Sequence, residues 1–257
     1  MTTDKERISN ILTLNENEDI YALLGKMEIL IDMFAENNIY HGFLPFLKTY
    51  FRVTKNVCHY ISLHKDYFAD PDKIIVLDEI FARKYLVPLK DFLLSDARIK
   101  PWQSYYYYCE REHNAFVQLL LGINSHINGD LAICLYESGF SNRADYIKVN
   151  EILAELVSEV VTDLLVDEHD LLAATGFVLR PLADKEFRAI IIKWREESWE
   201  NYQLLKNQEQ VLRDKIIENT EEVAVKIIDI FRNLGLTNLP GLMQELGQLS
   251  VRINMPE

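Results

Sequence analysis

The chain has 257 residues, a formal net charge of −13 and 49% hydrophobic residues, enough to bury a large core without disulfides or a structural metal. The acidic balance, relieved by no local cluster of Lys and Arg, argues against sequence-independent nucleic-acid binding and against docking on anionic membranes. Nine Gly and seven Pro are few breakers for this length and favour long helices over many short strands.

The start of the chain, Met1–Asn10, is charged and lacks the apolar stretch of a secretory signal. Together with the absence of a long apolar run, this sets the expected location as cytoplasmic. Residues 1–18 read as a flexible N-terminus, and 19–257 as a single all-helical domain. Asp19 can cap a helix whose apolar positions Ile20, Leu23, Leu24, Met27, Leu30, Ile31 and Phe34 recur at three and four, ending near Asn37-Asn38. A second helix is expected from about Leu44 to Lys65, with Pro45 in its first turn and Phe46, Tyr50, Val53, Val57, Ile61 and His64 on one stripe. Asp70-Pro71-Asp72 turns the chain into a third helix along Ile74, Leu77, Phe81 and Tyr85, and Pro88 should kink or end it.

Lys100-Pro101-Trp102 opens a long helical stretch to about Ser138, with Gly139 as its C-terminal cap. Helices over Arg143–Val166, Asp184–Asn207, Glu221–Leu234 and Leu239–Val251 follow, the last two separated by a turn at Gly235–Asn238. Ala173–Pro181 reads as an irregular connection. No internal repeat or strict two-residue alternation interrupts this pattern. The expected fold class is all-α: one large multi-helix domain of about seven to nine helices around a central buried helix near 114–137.

Cys58, Cys109 and Cys134 are odd in number, far apart and without a CxxC pair, so they read as reduced thiols packed like small hydrophobes. His41, His59, His64 and His169 lie near helix ends and read as satisfied or surface histidines. The four consecutive tyrosines Tyr105–Tyr108 cover every side of one helical turn, so some must face solvent or a groove. No glycine-rich phosphate loop, Gly-x-Ser-x-Gly elbow or His-Glu-x-x-His motif occurs.

The central stretch carries the candidate chemistry. On a helical wheel, Phe116, Leu119, Leu120, Leu121, Ile123, Ile127, Leu131 and Leu135 cover more than half the circumference. Gly122, Ser125, Gly129 and Ala132 form a small-residue stripe that lets a neighbour approach closely. A helix apolar on most sides and small on the rest is central, so its polar residues demand partners. His126 and Asp130 share one face at i and i+4, Asn124 and Asn128 share another, and Glu110 and His113 extend the asparagine side. One helix later, Asp145 falls on the core face, where it is either an N-terminal anion or part of a site.

Gly122-Ile123-Asn124-Ser125-His126-Ile127-Asn128-Gly129-Asp130-Leu131 resembles the signature of a bacterial all-helical family that carries a domain-of-unknown-function label. That signature reads approximately Gly-(Ile/Met)-Asn-(Ala/Ser)-His-Ile-Asn-x-Asp-Leu. Weaker matches at Tyr50, Thr54, Val57, Phe81, Ala82, Tyr85, Trp102, Asp145 and Asn150 extend the resemblance over about Leu44–Leu205. The resemblance implies an all-α fold and makes Asn124, His126, Asn128, Asp130 and Asp145 the site candidates, without supplying a reaction. A remoter likeness, to helical zinc-dependent phospholipases C and nucleases, departs here in having few histidines and no second His-x-x-x-Asp.

These residues support two main expectations. In a metal-dependent hydrolase, His126, Asp130 and Asp145 would hold a divalent zinc or manganese ion that activates water, with Asn124, Asn128, His113 and Glu110 binding ligand. In a non-catalytic module that binds a small molecule or protein, the same residues form a hydrogen-bond network fixing helix register. A third arrangement, a di-iron centre on Glu110-x-x-His113, lacks the second Glu-x-x-His of a symmetric bundle site.

Overall fold

The computed structural model describes the backbone of residues 3–167, 170–206, 209–235 and 238–253, with side chains described except at 155, 157–159, 161–183 and 209. The expected helical periodicity resolves into α1 (Asp4–Ile11), α2 (Ile20–Ala35), a 3-10 turn (Asn38–Phe43), α3 (Leu44–Leu63) and α4 (Pro71–Ser95). There follow α5 (Gln103–Arg111), α6 (Ala115–Ile123), a π-helical turn (Asn124–Leu131) and α7 (Ala132–Glu137). The chain closes with α8 (Arg143–Asp167), α9 (Asp170–Leu205), α10 (Glu209–Leu234) and α11 (Leu239–Gln248). Among the described residues there is no strand, and no helix is long and apolar enough to cross a membrane.

Caps and apolar stripes account for most boundaries. Asp19 accepts from Ala22 N, Asp70 from Lys73 N and Asn114 from Val117 N, each meeting a backbone donor that the first turn leaves free. Gly139 takes φ +65 just past α7, the left-handed geometry expected of a C-terminal glycine.

Four expectations are corrected. The segment before Asp19 is helical from Asp4, because Thr3 and Glu6 form a reciprocal capping box and Ile8 and Leu12 are fully buried. Of the two outcomes expected at Pro88, an end to the helix is the one overturned: α4 continues through it, with Leu86 and Leu89 buried on either side, and their packing outweighs one missing backbone bond. The stretch Lys100–Ser138 is not one helix. Glu112 adopts an extended conformation and Asn114 caps a new start. Ala173–Pro181 is not irregular but lies inside α9, which begins at Asp170. Residues 236 and 237 of the expected Gly235–Asn238 turn lie outside the described residues, as does His169.

The central position of the α6–π–α7 rod is confirmed: every residue from Phe116 to Leu135 is buried. The small-residue stripe lies where neighbours press closest. A Cβ on Gly122 would lie 2.4 Å from Phe46 Cγ of α3, and one on Gly129 would lie 2.4 Å from Pro101 Cγ. Helices α3, α4, α9 and α10 surround the rod. α8 and α9 run antiparallel beside it, with Tyr146 against Trp199 and Asn150 against Arg195.

Candidate functional site

The signature residues fall within the π turn, a wider helical turn that is rare and recurs at functional positions. Its side chains divide into two groups. One group is committed to structure. Asn124 Nδ2 donates to the Thr220 carbonyl of α10 at 3.0 Å, and its Oδ1 accepts from Asn128 Nδ2 at 2.9 Å. Ser125 donates to the Pro101 carbonyl at 2.8 Å, and Ser198 of α9 donates to the Ile127 carbonyl at 2.8 Å. Asp130 Oδ2 accepts from Trp102 Nε1 at 3.1 Å. These bonds tie α9, α10 and the Pro101 segment to the rod.

His126 is different. It is 3% exposed, and neither ring nitrogen has a hydrogen-bond partner. Its ring stacks on Phe81 with centroids 3.4 Å apart and planes 9° from parallel, and Tyr50 meets it edge-on at 4.3 Å. Nδ1 stands 3.6 Å from Asp130 Oδ2, beyond hydrogen-bond length. Burial, with the charge of Arg195 adding to it, lowers the imidazole pKa well below its ordinary value. Burial raises the Asp130 carboxyl well above its own, against the opposing effects of Lys84 and the Trp102 bond. Both directions favour the uncharged forms, so burial works against an ion pair between the two side chains.

His126 lines a cavity of about 90 Å³ between α3, α4, the π turn, α8 and α9. Most of its wall is apolar, from Phe46 and Val57 on α3 to Leu156 and Val160 on α8. The wall residues Thr49, Val53, Val149 and Leu153 are partly exposed, which places the mouth between α3 and α8. Two charged side chains share the wall with His126: Asp78 of α4 and Arg195 of α9. Asp78 Oδ2 is buried without a partner. Burial pushes its carboxyl up to about 7, with the Arg195 charge opposing. Arg195 is 5% exposed, donates through Nε to Asn150 Oδ1 and lies 4.9 Å over the Tyr146 ring. The Tyr146 hydroxyl in turn donates to the Arg195 carbonyl at 2.6 Å, fixing the helix that carries it.

The other expected site residues lie elsewhere. Asp145 accepts from Ala69 N and Asp70 N, both at 2.9 Å, and from Asn142 Nδ2 at 3.0 Å, with Lys148 Nζ 3.7 Å away. It is the anion that joins the start of α8 to the start of α4, so the structure does not bring it to His126 and Asp130. Among the described residues, no group of three His, Cys, Asp or Glu side chains is arranged to hold a metal ion. Glu110 is on the surface in an ion pair with Arg98 at 2.7 Å, and His113 is exposed, so the asparagine face does not continue into them. Tyr105, Tyr106 and Tyr108 are buried while Tyr107 carries the Arg111 guanidinium over its exposed ring.

A family model described as a family of unknown function (DUF5995) matches residues 20–233. The chain belongs to that family. No curated protein and no solved structure matches it. The DUF5995 match spans the whole described cavity wall, from Phe46 to Arg195, and takes in the π turn at its centre. Asp78 and Arg195, the two DUF5995 residues absent from the sequence-based candidates, do have a sequence signal. Asp78 stands at i+4 from Ile74, and Arg195 at i+4 from Ile191, each interrupting an apolar stripe with a charge.

Proposed function

We propose that this protein binds an apolar small molecule in the cavity between α3, α4, the π turn, α8 and α9, with the ligand's polar end meeting His126. The observation that carries this reading is the imidazole itself: it is buried, it has two unanswered nitrogens, and it forms part of a cavity wall that is otherwise mostly apolar. An unpaired buried polar group costs about 1–3 kcal/mol, and this one stands where a ligand entering the cavity could meet it. A mostly apolar cavity with a few convergent polar groups is the usual form of a small-molecule site.

The test is binding of 1-octanol, followed calorimetrically and as a rise in melting temperature. Leu153→Trp, which fills the mouth, should abolish the response while the variant still melts cooperatively. An equal response in both proteins would place the octanol elsewhere and sink the reading.

Catalytic use of the same cavity is a second reading, favoured by Asp78. A carboxyl that titrates at about 7 is matched to general acid–base work near neutral pH, and a hydrolase would use it, or His126, to activate water. Turnover of 4-nitrophenyl octanoate that disappears in Asp78→Asn would support it. The metal-dependent form would require zinc or manganese on His126 and Asp130 with further ligands drawn from the bound molecule or water. Metal-induced stabilisation reversed by a chelator and lost in His126→Phe is its signature.

A further inference from the structure

We infer that the ligand's polar end is an anion, a carboxylate on an alkyl chain, held by Arg195 with the chain lying along the α8–α9 groove. The inference rests on the binding reading above and specifies its chemistry.

Arg195 is the permanent charge of the cavity. A guanidinium keeps its proton in any protein environment, and this one is 5% exposed. Its described partners are the neutral Asn150 amide and the Tyr146 ring, and among the described residues no carboxylate forms an ion pair with it. A buried cation without a counter-charge is costly, and the one acid on the described cavity wall is not paired with it. Asp78 is not in ion-pair contact with it, and burial favours the acid form of that carboxyl. His126 is a base and offers a donor but no negative charge. An incoming carboxylate therefore answers two vacancies at once, accepting from the guanidinium of Arg195 and from whichever His126 nitrogen carries the proton.

The shape of the wall selects the rest of the molecule. The polar groups gather where Tyr146 of α8 faces Arg195 of α9. From there the antiparallel pair runs into Leu153, Leu156 and Val160 on one side and Ile191 and Phe187 on the other. Arg195 and Phe187 are two helical turns apart, about 12 Å at the helical rise. An aliphatic wall with a cation at one end and partly exposed residues at its mouth suits an alkyl chain that lies partly in the cavity and partly along its mouth.

Three probes with the same eight-carbon chain decide the matter on the full chain: octanoate, 1-octanol and octylammonium. Octanoate should bind about tenfold or more tighter than 1-octanol, as a charge-assisted bond to a buried guanidinium implies. Arg195→Gln should remove that preference and leave 1-octanol binding in place, while Arg195→Lys should keep part of it. Equal affinity for octanoate and 1-octanol in the unmodified protein would overturn the anion and leave the cavity reading standing. Preference for octylammonium would overturn it in favour of Asp78 as the anchor. Binding of none of the three would remove the cavity reading itself, and the anion with it. The headgroup comparison on unmodified protein decides the question even if Arg195→Gln fails to fold.

Discussion

The π turn has two flanks that are equally dry and chemically unlike. Toward α10 and Pro101, Asn124 donates to Thr220, Asn128 donates to Asn124 and Ser125 donates to a backbone carbonyl, so that Asn128 Oδ1 is the one side-chain atom of the three residues left without a partner. Toward α3, α4 and α9, His126 is as deeply buried and has no partner. Burial of a polar side chain therefore does not by itself mark a site, since most such groups are simply satisfied. The mark is a deficit that the fold leaves open beside a space. The same contrast separates Asp145, whose oxygens meet three donors, from Asp78, whose buried oxygen meets none.

The contrast is broken most sharply on the flank whose donors are all spent. Asn124→Ala removes the acceptor of Asn128 and the donor to Thr220 at once. Stranding two buried polar groups and opening a small void should cost about 3 kcal/mol or more, a fall in melting temperature of about 6–12 °C for a chain of this size. If Asn124→Ala melts within a degree or two of the unmodified protein, that flank is not the structural one.

Gly129→Ala should come next. Its new Cβ would stand 2.4 Å from a carbon of the Pro101 ring, a rigid neighbour that must move as a unit. Overpacking of this kind costs about 1–3 kcal/mol. Gly25→Ala on α2, where nothing lies within 4 Å of the new methyl, serves as its control and should stabilise by up to about 1 kcal/mol. Comparable destabilisation by both variants would show that the rod is not seated as tightly as the small-residue stripe implies.

His126→Phe should have a small effect on stability, within about 1 kcal/mol, because the imidazole forfeits no hydrogen bond and the flat ring can keep its stack on Phe81. The same change should weaken octanoate binding. A loss of several kcal/mol in denaturant titration would mean that His126 belongs to the structural flank after all.

The helical fold and the central rod are legible in the sequence because three-and-four spacing and small residues report directly on which faces are buried. The polar residues of the rod are legible for the same reason, but their partition is not. Asn124 and His126 are two residues apart and both interior. Which of them is satisfied depends on Thr220, 96 positions from Asn124, and on the wider π turn that rotates their directions. Asp145 misleads because a core-facing carboxylate at a helix start is also a good anchor for another helix's first amides. Asp78 and Arg195 each interrupt an apolar stripe. Only the meeting of α4 with α9 at one cavity shows that the two interruptions belong together.

Asp78→Asn should have the effect most dependent on pH, small at pH 5 and larger at pH 8. The carboxyl is raised from its ordinary value of 3.8 to about 7 in the folded chain, so folding favours its protonated form. The stability it contributes is fully present below pH 4, declines as the unfolded chain ionises and the native one does not, and is gone once pH passes 7. The amide mimics the protonated form at every pH. Relative to the unmodified protein, the variant should therefore gain as pH rises from 5 to 8, by about 1–2 kcal/mol after allowance for the residue's partial exposure, or about 2–8 °C in melting temperature. Identical differences at pH 5 and pH 8 would show that Asp78 ionises as it would in water. The cavity flank would then already hold the counter-charge that Arg195 is inferred to seek from a ligand.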